Sequence, residues 1–99
     1  MNFIRLSDNE RKALNKSLED FEGDVFLFGS RLDKDKHGGD IDILLKPYVN
    51  VSRYALKSRI IARFERVLQQ SLDVVVYDEH SVFCQEILKY AKPIDRTSL

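Results

Sequence analysis

Residues Phe26 to Leu45, FLFGSRLDKDKHGGDIDILL, decide how the rest of the chain is read. An apolar run ends in Gly29-Ser30, a polar loop extends from Arg31 to Gly39, and a second apolar run opens with Asp40 and Asp42. In a strand, residues two apart point to the same face. Asp40 and Asp42 therefore project together, while Ile41, Ile43 and Leu45 face a core. Aspartate is depleted in strands, and two carboxylates about 7 Å apart repel by about 0.6 to 2.4 kcal/mol, depending on solvent screening. A divalent cation such as Mg2+, which prefers carboxylate oxygens, turns that repulsion into coordination.

Working outward, the pattern predicts elements on both sides. Ser7-Asp8-Asn9-Glu10 is a capping box, and Leu14, Leu18 and Phe21 follow at helical spacing. A helix is expected from about Ser7 to Phe21. Val25 to Phe28 reads as a buried strand bounded by glycines, and Gly38-Gly39 lets the chain re-enter the sheet before Asp40. One helical turn is expected from Ser30 to about Lys34. The second strand runs from Asp40 to Lys46 and stops at Pro47. A long helix follows from Val51 to Gln70, apolar on one side and carrying Arg53, Lys57, Arg59, Arg63 and Arg66 on the other. Leu72 to Tyr77 is a third strand in which Asp73 shares a face with Val75 and Tyr77. Asp78 or Ser81 caps a last helix through Phe83, Ile87 and Tyr90, which Pro93 ends. The tail from Ile94 to Leu99 is expected to be loose.

The order is helix, strand, strand, helix, strand, helix. It predicts an α/β (α+β) fold of two layers, with helices packed on a mixed sheet of three or more strands. The 99 residues are expected to form a single domain over 1–99, with 43% apolar residues and ten per cent aromatics. Sixteen basic and sixteen acidic residues cancel, so no global field draws nucleic acid to the chain. The sequence has no apolar run of membrane-spanning length and no signal-peptide pattern. It has one cysteine, Cys84, which is assigned to packing. These features fit a cytoplasmic protein.

Three signals carry chemistry, each with a plainer competitor. Gly29-Ser30 is either an ordinary turn or a place where phosphate approaches the main chain. Asp40 and Asp42 are either solvated carboxylates at a strand end or metal ligands. Asp73 is either an edge residue facing water or, with the third strand beside the second, a third carboxylate on the same face. Three converging carboxylates hold two metal ions about 3.5–4 Å apart in phosphoryl and nucleotidyl transfer. The basic side of the long helix is read first as a solvated face, and second as a docking surface for an acidic partner or RNA. His37 is read first as a solvated loop histidine and second as a phosphate contact, and His80 has no evident partner in the sequence.

A strand, Gly29-Ser30, a short loop, a strand opening with Asp40-x-Asp42, a helix, and a strand carrying Asp73 resembles the minimal nucleotidyltransferase family of the DNA polymerase β-like superfamily. The resemblance spans about Val25 to Ile94. It implies that Gly29 and Ser30, with Arg31, hold the nucleotide phosphates. It implies also that Asp40, Asp42 and Asp73 bind two Mg2+ ions and are catalytic, with ATP as nucleotide substrate. Members often carry Arg-Ala-Arg-Gly after the Gly-Ser and serine before the first aspartate. Here only Arg31 matches, and Gly39 precedes Asp40. The resemblance further implies an antitoxin of a toxin–antitoxin system that transfers AMP to a helical HEPN-type toxin within a hetero-oligomer. The other readings are a binding antitoxin without catalysis and a transferase acting on RNA or a small molecule. No second domain for binding an acceptor is expected within this length, and direct contact with nucleic acid is not expected.

Overall fold

A computed structural model describes residues 4–36 and 39–99. His37 and Gly38 lie outside them, so the reading of these two residues is not carried further. Helix α1 spans Asp8–Ser17, and its capping box is complete: Ser7 Oγ accepts the Glu10 N–H at 3.1 Å and Glu10 Oε1 accepts the Ser7 N–H at 2.8 Å. The helix ends before Phe21. Residues 18–21 turn instead, with the Phe21 N–H on the Leu18 carbonyl at 3.0 Å.

Strand β1 (Gly23–Phe28) lies antiparallel to β2 (Ile41–Pro47), which lies parallel to β3 (Leu72–Val76). Helix α2 (Arg53–Val67), capped by Ser52, makes the crossover that a parallel pair requires. Helix α3 (Val82–Tyr90) is capped by Ser81, which settles the choice between Ser81 and Asp78. The sheet order is β3-β2-β1-β4, where β4 is the short strand Lys92–Pro93 paired with Leu27 and Phe26 of β1.

The core collects on one face of the sheet. Leu14 and Leu18 of α1, and Ile60 and Phe64 of α2, close over Val25, Leu27, Ile41, Ile43, Leu45, Leu72 and Val74, all nearly or fully buried. Ile41, Ile43 and Leu45 thus take the core-facing side expected of them. The opposite face is not bare. Leu44 is fully buried there and Cys84 on α3 nearly so, its thiol 3.9 Å from the Val76 carbonyl. Because β3 and β4 stand at opposite edges, α3 has to cross the sheet between them. Cys84 is a packing residue, as expected.

The C-terminal tail differs from expectation. Rather than hanging loose, it supplies β4, and Ile94 is buried with its N–H on the Val25 carbonyl at 2.8 Å. Arg96 donates to the carbonyls of Phe21 and Leu18, in the turn that follows α1. A two-residue strand containing proline has no periodicity to read, and it survives because β4 is an edge strand.

Candidate active site

Three chain segments meet where β1 ends. Phe28 is opposite Asp42 in the antiparallel register, and Asp42 is opposite Asp73 in the parallel one. Neighbouring strands stand about 4.8 Å apart, so the carboxylates of Asp42 and Asp73 are side by side. Asp40 lies two residues before Asp42, exposed just ahead of β2. The structure therefore brings together the three carboxylates that the sequence singled out.

Gly29 opens a short 3-10 turn (Gly29–Leu32) with φ of 79°, a left-handed conformation that favours glycine. A Cβ at this position would collide with the Asp42 carboxylate. The glycine main chain is pressed against the acid, which accounts for this residue at this place. Gly39 also has positive φ, 86°, and a Cβ there would come 2.6 Å from Ser30 Oγ. Ser30 thus sits against the last loop residue before Asp40.

The electrostatics of the cluster are unbalanced. Burial, then the hydrogen-bonded Asp73 carboxyl and its charge, then the charge of Asp40, push Asp42 up to about 6. Among the described residues none of the three carboxylates has an ion-pair partner. Among the same residues, no group of three acidic, histidine or cysteine side chains is placed so that it could hold a metal ion. In chemistry alone, carboxylate oxygens are the donors that a hard divalent cation prefers.

Arg31 is placed otherwise than the sequence led one to expect. It is only 6% exposed and forms a bidentate pair with Glu10, with both N···O distances 2.7 Å. Its remaining N–H groups donate to the Gly39 carbonyl (3.1 and 2.9 Å) and the Arg5 carbonyl (2.9 Å). All five guanidinium donors are engaged within the chain. A direct phosphate contact would require breaking a buried pair, so the side chain serves the loop, tying its first residue to its last. Burial alone would raise Glu10, but hydrogen bonds from Arg31, the Ser7 N–H and Gln70, together with the Arg31 charge, bring it down to about 2. Sequence reasoning assigned Glu10 only to the capping box. Nothing local reveals that its carboxylate also meets Arg31 and Gln70, which lie 21 and 60 residues away.

The basic side of α2 is largely a solvated face with local pairs. Arg63 and Arg59 reach Asp20 at 2.6 and 4.0 Å, and Arg53 reaches Asp78 at 3.2 Å. A cleft of about 770 Å3 lies at the start of β1, lined in part by Gly23, Asp24, Tyr48 and Arg96. It contains none of the carboxylates just described. Among the described residues, no helix is long and apolar enough to cross a membrane.

No protein-family model matches the chain, and no curated protein sequence does. Solved structures do. A toxin–antitoxin complex crystallised with AMP-PNP contains a chain that superposes with TM-score 0.65 at 24% identity, over 84% of this chain and 70% of that one. A mutant MntA–HpeT toxin–antitoxin complex gives TM-score 0.63 at 20% identity with the same coverage. A tri-AMPylated Shewanella oneidensis HEPN toxin in complex with its MNT antitoxin gives 0.55 at 22% identity, over 83% of this chain and 62% of that one. The superpositions agree on one point: this chain shares the fold of a chain in each of these toxin–antitoxin complexes.

Proposed function

We propose that this protein is a Mg2+-dependent nucleotidyltransferase that transfers AMP from ATP to a hydroxyl of a HEPN-type toxin, and so acts as the antitoxin of the pair. The observation that carries this reading is the meeting of Gly29 with Asp42, and of Asp42 with Asp73, at the ends of three strands. Support comes also from the superposed complexes, one holding an ATP analogue and another an AMPylated toxin.

In this reading Asp40 and Asp42 ligate Mg2+, and Asp73 completes the set on the acceptor side. Bound Mg2+ supplies charge neutralisation at the phosphates and acidifies the acceptor hydroxyl. The acceptor oxygen forms a bond to the α-phosphorus, the bond from that phosphorus to the β-phosphate bridging oxygen breaks, and pyrophosphate leaves. The hydroxyl proton passes to the Asp73 carboxylate and on to water. Gly29 lets phosphate oxygens approach the main chain, and Ser30 is held close to Gly39 to contact them. Arg31 acts through the loop rather than on phosphate.

The test is transfer itself. The chain, a HEPN-type toxin, Mg2+ and labelled ATP are incubated, and the toxin is weighed by mass spectrometry. The toxin is expected to gain AMP with the wild type and none with Asp40→Ala/Asp42→Ala. If both versions neutralise the toxin equally and no AMP mass appears, the chain is a binding antitoxin instead.

A further inference from the structure

A nucleoside triphosphate brings several negative charges, and Arg31, committed to Glu10, is not free to meet them. The structure holds other cations beside the same glycine. Gly29 lines a cleft of about 690 Å3 whose walls come from two distant parts of the chain. One wall is the loop with Asp33, Lys34 and Asp35. The other is the corner between α3 and β4, with Lys89, Tyr90 and Lys92. The β1–β4 pairing fixes this corner, since it sets Lys92 opposite Leu27, two residues before Gly29.

The charges at the cleft are available. Among the described residues Lys34 and Lys92 have no ion-pair partner, and Lys89 has only an exposed pair with Glu86 at 2.9 Å. Exposed pairs of this kind exchange readily for a better anion. Of the two acids in the wall, Asp33 already accepts the Asp35 N–H at 2.9 Å and so caps its own turn. We propose that this cleft receives the outer phosphates of a nucleoside triphosphate, held by Lys89 and Lys92. The inference rests on the nucleotidyl-transfer reading. It assigns a role to the short strand β4, which carries Lys92 to the edge of the site.

Isothermal titration of ATP and of AMP, each with Mg2+, into the wild type, Lys89→Ala/Lys92→Ala and Lys89→Arg/Lys92→Arg tests it. ATP affinity should fall about tenfold in the alanine variant and be kept by the arginine variant, because charge-assisted contacts to phosphate survive that exchange. AMP has no outer phosphates, so its affinity should be the same in all three. If the wild type binds ATP and the alanine variant binds it equally well, or loses ATP and AMP in equal measure, this inference is overturned while nucleotidyl transfer stands. If the wild type binds neither nucleotide, both readings fall.

Discussion

Two groups of charged side chains stand at the two sides of the Arg31–Gly39 loop, and they are built in opposite ways. Around Arg31 every charge is matched: Glu10 takes two of its donors, backbone carbonyls take the rest, and Gln70 adds a further bond to Glu10. Around Asp42 nothing is matched, and three carboxylates crowd together with their charge uncompensated. The matched group resembles a structural joint, since burial of ions is tolerated only with full pairing. The unmatched group costs stability where it stands, and functional sites are where such imbalance collects. Similar residue types thus do different work within one loop.

Breaking the joint should have the largest effect. Glu10→Ala leaves Arg31 buried and unpaired, and should destabilise the fold by about 3 kcal/mol, read from urea unfolding. Loss of less than about 1 kcal/mol would mean that the loop does not depend on the pair. Breaking the cluster should have the reverse sign. Asp42→Asn, measured in EDTA at pH 8, should stabilise the chain by about 1 kcal/mol, a figure reduced for solvent screening of a half-exposed carboxylate.

The pH dependence sharpens the same contrast. Asp42 is raised in the folded state, so its contribution is most favourable below the unfolded value of 3.8 and is lost as pH rises through about 6. The gain from Asp42→Asn should therefore vanish below pH 4. Glu10 is lowered, so its contribution is present above 4.5 and is lost as pH falls towards about 2. The smallest effect expected is that Glu10→Gln loses its stability deficit relative to the wild type as pH falls from 4.5 towards 2, as followed by circular dichroism. A deficit that does not change over that range would detach Glu10 from the joint.

Most of the fold was legible because the periodicities were clean. The alternation of Ile41, Ile43 and Leu45 set the face of β2, and the capping box at Ser7 started α1 at the right residue. The ends were less legible. Helix α1 gives way at Leu18 to a turn whose carbonyls meet Arg96, far along the chain, and β4 is too short to leave a pattern. Asp40, Asp42, Asp73 and Gly29 stood out in the sequence as charge and conformation where strands normally refuse them, and the structure places them near one another. Arg31 was misleading, because a residue beside a phosphate-binding turn looks the same in sequence whether its side chain turns outward or inward. Only the position of Glu10 in three dimensions decides.

The most direct test of the metal–nucleotide site is a comparison of sign. Thermal unfolding midpoints of the wild type and Asp42→Asn are measured at pH 8, once in EDTA and once with millimolar Mg2+ and ATP. If the carboxylates form a cation site, Asp42→Asn melts above the wild type in EDTA and below it with Mg2+ and ATP, because ligand binding stabilises only the intact site. If the two proteins keep the same order in both conditions, or neither responds to Mg2+ and ATP, the cluster around Asp42 is not a metal–nucleotide site.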